Sequence, residues 1–274
     1  MTEPVRHEAA GPPRGRALAL HGLGSGAGCW TPLRTLRRDD LELWTVDLPW
    51  SGECAEWAGR RPATAALRDA FEAVEHPVDL VIAHSFGANV LLEMLATDIA
   101  AGRDPVDRFG LRGLLLVAPL YRRSRDEFTW DEMPAYLSRF GNAMAEGVRV
   151  HSTRRRNRDL QAAMADRVCQ RVGPYGWLEF FGTYLRTPML RTDLLDLPCR
   201  VLVGTDDRAA PPNEAAALVA ALPTATLCRI ADCGHFPMLQ RPQDFATEVD
   251  RFFRSLGVRS GSAGADTSGR PPYR

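Results

Sequence analysis

The sequence contains no lysine. All 34 of its basic residues are arginine, and they face 34 aspartates and glutamates, so the formal charge is zero. A balanced chain has no overall field to draw it onto nucleic acid or an anionic membrane, and neither is expected as a partner. Arginine-only usage suggests a GC-rich, bacterial coding sequence more than a functional demand. No stretch approaches the roughly 20 consecutive apolar residues of a membrane span. The opening residues, MTEPVRHEAAGPPRGR, lack the apolar core of a secretory signal. The expectation is a soluble, cytoplasmic protein. Cysteine is also sparse: Cys29, Cys54, Cys169, Cys199, Cys228 and Cys233 show no close C-x-x-C spacing in a chain of 274 residues, which is too large to need disulfide staples. They read as reduced, mostly buried small side chains. Cys228, Cys233 and His235 lie near one another in sequence, but a zinc site wants four convergent ligands, so no metal and no cofactor is expected.

What the chain does have is a rhythm. Short runs rich in Val, Leu and Ile recur at 17–21, 41–47, 78–84, 111–119, 199–204 and 225–231. Bounded by Gly, Pro and Asp, they suit strands covered on both faces, as in a parallel sheet. Helical patterns at 62–75, 87–99, 212–222 and 241–256 alternate with them. Strand alternating with helix implies right-handed crossovers and an α/β fold with a doubly wound, mostly parallel sheet.

The rhythm stops between Tyr121 and about Thr192, where aromatics, arginines and helix-compatible runs replace strands. Residues 130–149, 157–172 and 175–187 read as three helices, with a break at Gly173 and Pro174. The organisation expected is an extension over 1–15, a core over 16–120 and 193–256, a helical cap insertion over 121–192, and a tail over 257–274 too rich in Gly, Ser and Pro to fold.

The third run passes through Ala83-His84-Ser85-Phe86-Gly87 directly into a helix. That sets Ser85 on a sharp strand-to-helix turn, which needs small residues two before and two after the serine. At a helix N-terminus, free N–H groups and the dipole would stabilise negative charge. An ordinary N-cap serine is the competing reading. His21-Gly22-Leu23-Gly24-Ser25-Gly26 follows the first strong strand. It is either a turn or a loop that aims an N–H at a ligand; a phosphate-binding P-loop is disfavoured by the missing Lys. Gly204-Thr205-Asp206-Asp207 and Cys233-Gly234-His235-Phe236-Pro237 each follow a strand, giving a carboxylate and a histidine in the order serine, acid, histidine.

With these four pieces the chain resembles the α/β-hydrolase superfamily, in its serine-nucleophile, capped, esterase- or thioesterase-like branch, from about Arg16 to Leu256. The resemblance implies Ser85 as nucleophile, His235 as base and an oxyanion hole from the N–H groups of Phe86 and Leu23. For the acid it implies Asp207, at Gly-x-x-Asp spacing from Gly204, with Asp206 as the rival. A serine in the nucleophile place disfavours the dehalogenase and epoxide-hydrolase branches. The chain departs from the family where Asp47-Leu48-Pro49-Trp50-Ser51-Gly52 carries Trp50 in place of Gly, which would set a bulky aromatic near the site entrance. The family's first strands are expected to be reduced or absent.

The function implied is a serine hydrolase of a small, largely apolar ester, thioester or lactone, with Trp50, Tyr136, Phe140, Trp177 and Phe181 as candidate pocket residues. Trp130, Met133, Leu137, Phe180 and Tyr184 share that apolar pattern. An acyltransferase or cyclase using the same acyl-enzyme, and a ligand-binding protein without turnover, are the alternatives. His84 is expected to pack in the elbow, and His7, His76 and His151 to lie on the surface. The Arg154-Arg155-Arg156-Asn157-Arg158 run is either a solvated helix start or a landing patch for the phosphate of a coenzyme A or carrier-protein-linked acyl group.

Overall fold

A computed structural model describes residues 3–51, 61–74, 77–151 and 157–257. In chain order the elements are β1 (Val5–His7), β2 (Gly15–Leu20), α1 (Thr31–Leu36), β3 (Leu41–Val46), α2 (Ala63–Glu72), β4 (Leu80–His84), α3 (Phe86–Ala100), α4 (Pro105–Phe109) and β5 (Gly113–Val117). Then come α5 (Met133–Val150), α6 (Arg158–Arg186), β6 (Cys199–Gly204), α7 (Pro212–Ala221), β7 (Ala225–Ile230), α8 (Pro237–Gln240) and α9 (Pro242–Ser255). The seven strands form one sheet in the order β1-β3-β2-β4-β5-β6-β7, parallel except for β1, which pairs antiparallel with β3. Among the described residues this three-residue strand precedes β2.

The alternation of side chains along each strand explains why both faces are apolar. Leu18, Val81, Ala83, Leu114, Leu116, Val201 and Val203 point to one face and pack with α2, α3 and α7. Ala17, Ala19, Leu80, Ile82, Leu115, Val117 and Leu202 point to the other and meet Leu33 of α1 and Phe245, Val249, Phe252 and Phe253 of α9. β7, at the sheet edge, is half-exposed.

Among the described residues, the stretch between β5 and β6 holds α5 and α6 and no strand. α6 is broken at Gly173, whose φ is 67°, where the sequence places the boundary between two helices. Residues 130–132, expected to open α5, form a separate 3₁₀ turn. Polar contacts fasten this insertion to the core. Glu214 of α7 accepts hydrogen bonds from Arg139 of α5 (3.1 Å), the Tyr184 hydroxyl of α6 (2.9 Å) and the Tyr121 N–H (3.1 Å). Arg186 of α6 donates twice to Glu93 of α3.

The order β3-β2-β4 means that the chain reverses its direction of travel across the sheet after β3. The loops following β2 and β4 therefore lie side by side at the carboxyl ends of their strands, the place where doubly wound sheets open a crevice.

Candidate active site

Ser85 joins β4 to α3 with φ 51° and ψ −122°, a conformation that costs an L-residue about 1–3 kcal/mol. Hydrogen bonds hold it there: its N–H donates to Val117 O at 2.8 Å, and its carbonyl accepts from Ala88 and Asn89 at 2.9 and 3.1 Å. Sterics set the flanks. A Cβ on Gly87 would stand 2.5 Å from the His21 carbonyl oxygen, so only glycine fits two residues after the serine. The Ser85 side chain makes no capping hydrogen bond to α3. Its Oγ lies instead 3.0 Å from His235 Nε2, a geometry the N-cap reading does not provide.

His235 comes from the loop between β7 and α8. Its Nδ1 is 2.9 Å from Asp207 Oδ2. A carboxylate only accepts, so Nδ1 carries the proton and Nε2 is left to accept from the Ser85 hydroxyl. Asp207 is itself fixed, because Oδ1 accepts the N–H groups of Ala209 and Ala210 at 2.8 and 2.9 Å. Asp206 is exposed, and its N–H is tied to Cys233 O; of the two neighbouring carboxylates, Asp207 meets the histidine. All three side chains are buried. Burial opposes a charge on His235, yet the Asp207 carboxylate and its hydrogen bond outweigh burial and raise the imidazole pKa above its ordinary value.

Supporting contacts come from residues that sequence reasoning passed over. Glu146 of α5 accepts from the His235 N–H (3.2 Å) and from Gln240 Nε2 (2.9 Å), while Gln240 Oε1 accepts from the N–H groups of Gly234 and Phe236. An acidic residue on a helix distant in sequence gives no local signal of this role. His21 is fully buried: its Nε2 accepts from the Leu48 N–H at 2.8 Å, and burial lowers its pKa to about 4. It thereby ties the Gly-rich loop to the loop of Asp47. His84 packs in the elbow, as expected.

Beside Ser85 is a cavity of about 20 Å³ whose walls include Leu23, Phe140, Phe180 and His235, room for about one water. Leu23, Met144 and Phe236 separate it from a cleft of about 300 Å³ between the Gly24 loop and the helices α5 and α6. Leu23 thus borders Ser85, and Phe86 opens α3 directly after it.

The expected pocket residues divide. Phe140 lines the small cavity. Trp50 does not stand at an entrance: it is 0% exposed, edge-on to Phe86, with its indole N–H donating to His21 O. The chain turns it inward because that carbonyl offers the indole a buried acceptor. Tyr136 belongs to the polar contacts of Arg122, Glu132 and Glu127. Trp177 and Phe181 pack around Phe180 and line neither cavity. Trp130, 85% exposed, and Leu137 face outward. His7 is half-buried against Thr45 rather than on the surface, and His151 is exposed. His76, Cys54 and Arg154 to Arg156 lie outside the described residues. The other five cysteines are free. Among the described residues no helix is long and apolar enough to cross a membrane.

Residues 17–248 match the model of a family described as "Alpha/beta hydrolase family". A relative named pimeloyl-[acyl-carrier protein] methyl ester esterase, from Aromatoleum aromaticum, is 29% identical over 260 residues, covering 86% of this chain and 97% of the relative. Among solved structures, a thermophilic esterase from Thermogutta terrifontis superposes with TM-score 0.62 at 21% identity, covering 92% of this chain and 93% of that one. MenH from S. aureus gives TM-score 0.62 at 15% identity, covering 94% of this chain and all of that one, 100%. These two are similar in fold.

Proposed function

Because the chain belongs to the alpha/beta hydrolase family, we propose that it is a serine hydrolase that cleaves an acyl ester through an acyl-enzyme on Ser85. The observation that carries the reading is the continuous line of hydrogen bonds from Ser85 Oγ to His235 Nε2 (3.0 Å) and from His235 Nδ1 to Asp207 Oδ2 (2.9 Å). In this reading Ser85 Oγ attacks the carbonyl carbon while its proton passes to His235 Nε2. Asp207 holds the imidazole in the required tautomer and stabilises the imidazolium. The carbonyl oxygen, now negative, takes hydrogen bonds from the main-chain N–H groups of Phe86 and Leu23. The imidazolium then gives its proton to the departing alcohol. Water, deprotonated by His235, attacks the acyl-enzyme, and its collapse releases the acid and restores Ser85.

The named activity of the Aromatoleum aromaticum relative supports an acyl chain attached to a carrier protein as a candidate substrate here. The insertion would act as a cap, with Phe140 and Phe180 excluding bulk water from the reacting carbonyl.

The test is to treat the protein and its Ser85→Ala variant with a fluorophosphonate probe and with p-nitrophenyl, methyl and thioester substrates. Labelling and turnover that disappear in the variant support the reading. Turnover retained without Ser85 overturns it, and labelling without hydrolysis points to acyl transfer.

A further inference from the structure

The cavity at Ser85, about 20 Å³, is too small for anything beyond the reacting groups. An acyl chain needs another place, and the adjoining cleft of about 300 Å³ has the size of a small-ligand site. Apolar side chains enter its walls from three directions: Leu23 from the loop after β2, Met144 and Val148 from α5, and Met164 and Val168 from α6. Met144 also lines the Ser85 cavity. An unbranched thioether is the side chain most able to swing aside and let a chain pass. The other wall cannot yield as easily, because a Cβ on Gly24 would stand 2.8 Å from Val168, so loop and helix are already in contact.

The cleft is not wholly apolar. Arg171 lines it from α6 and has no hydrogen-bond or ion-pair partner among the described residues, while Arg186 on the same helix is paired with Glu93. Asp47 is the acidic residue in the lining, and it already accepts the Ala27 N–H at 2.7 Å. His151 also lines the cleft and spends Nδ1 on Gly147 O. An unpaired guanidinium beside an apolar trough suits an extended chain ending in an oxyanion, which it can hold through paired N–H groups.

Resting on the hydrolase reading above, we propose that this cleft receives the remote end of the acyl chain and that Arg171 makes the enzyme select chains ending in an anion. The group of first choice is the free carboxylate of a dicarboxylic monoester; the phosphate of a phosphopantetheine-linked chain has the same chemistry.

The experiment compares kcat/KM for methyl esters of linear mono- and dicarboxylic acids of matched length, and for a coenzyme A-linked ester, in the wild type, Arg171→Gln, Arg171→Glu and Arg167→Gln. Arg167 is exposed and lines neither cavity. The expected result is that the dicarboxylic-to-monocarboxylic ratio falls roughly tenfold in Arg171→Gln, falls further in Arg171→Glu, and holds in Arg167→Gln. A fall confined to the coenzyme A-linked ester keeps the anion site and assigns it to phosphate. An unchanged ratio for both anionic substrates in the two Arg171 variants overturns the proposal. Calorimetric titration of Ser85→Ala protein with a linear dicarboxylate and with coenzyme A reads the cleft without turnover. Binding of either that is lost in the added Arg171→Glu change supports the site even if no ester is hydrolysed, and absence of binding to both argues against the site independently of Ser85.

Discussion

The ring of His84 reaches across the site and donates from Nε2 to the main-chain carbonyl of His235 at 2.8 Å. One imidazole, adjacent in sequence to Ser85, therefore fixes the backbone of the histidine that is hydrogen-bonded to Ser85. With Nε2 donating, Nδ1 bears no proton. It has no hydrogen-bond partner among the described residues and faces Gly22, where a Cβ would come within 2.9 Å of it. Burial pushes the His84 pKa well down, so the ring stays neutral beside His235.

His84→Phe removes that donor and frees the His235 backbone. We expect kcat for a small ester to fall by about tenfold or more with little change in KM, because misplacement of a catalytic group acts on the chemical step. His84→Gln keeps an N–H within reach of the same carbonyl and should recover most of the rate. Equal losses in both variants would mean that ring packing, and not the hydrogen bond, is what matters.

The pH profile follows from His235. Proton transfer needs the neutral ring, and the folded pKa lies above the ordinary 6.5, so the acidic limb of kcat/KM should fall above that value. Asp207→Asn removes the two larger raising influences and leaves burial opposed by Glu146, which moves the limb downward while kcat drops by about four orders of magnitude. A wild-type limb at or below 6.5 would count against the coupling. The same shift bears on stability: the protonated His235–Asp207 pair contributes fully below the unfolded pKa, and the contribution is lost as pH rises through the higher folded value.

Strain at Ser85 can be measured apart from chemistry. Both Ser85→Ala and Ser85→Gly lose the proposed nucleophile, but only glycine adopts φ 51° without cost. The glycine variant should be the more stable of the two by about 1 kcal/mol, against the usual order of the two residues. Thermal unfolding decides it, and a more stable alanine variant would show that the turn carries no strain.

Glu214 is the anchor of the insertion. Burial pushes its pKa up, against Arg139 and Arg122. Glu214→Ala leaves the part-buried Arg139 guanidinium without its carboxylate partner, and unfolding measurements should show a loss of about 2 kcal/mol. Glu214→Gln, which can still accept from Tyr184, should cost less. A neutral alanine substitution would mean that water replaces the carboxylate.

Strands β2 to β7, the helix break at Gly173 and the family of the chain were legible in the sequence because each is set by short-range rules: apolar runs bounded by turn residues, a glycine free to take φ 67°, and small residues flanking a sharp turn; β1 fell in residues expected to be only an extension. Ser85 and His235, which the fold brings within 3.0 Å of each other, were legible as candidates for the same reason, each carried by a motif at the end of a strand. The sequence left Asp207 and Asp206 as rivals, since adjacent residues share their local signals; the N–H groups of Ala209 and Ala210 and the position of His235 are what set Asp207 against the imidazole. Tertiary packing alone decided the pocket. Trp50, Trp177 and Phe181 have the composition of a substrate wall, but apolar pattern says only that a side chain is buried, not whether it meets a cavity or the core. Glu146, His84 and Arg171 acquire their places only when α5, α6 and the His235 loop converge on the sheet, and contacts between segments so far apart in the chain leave no trace in local periodicity.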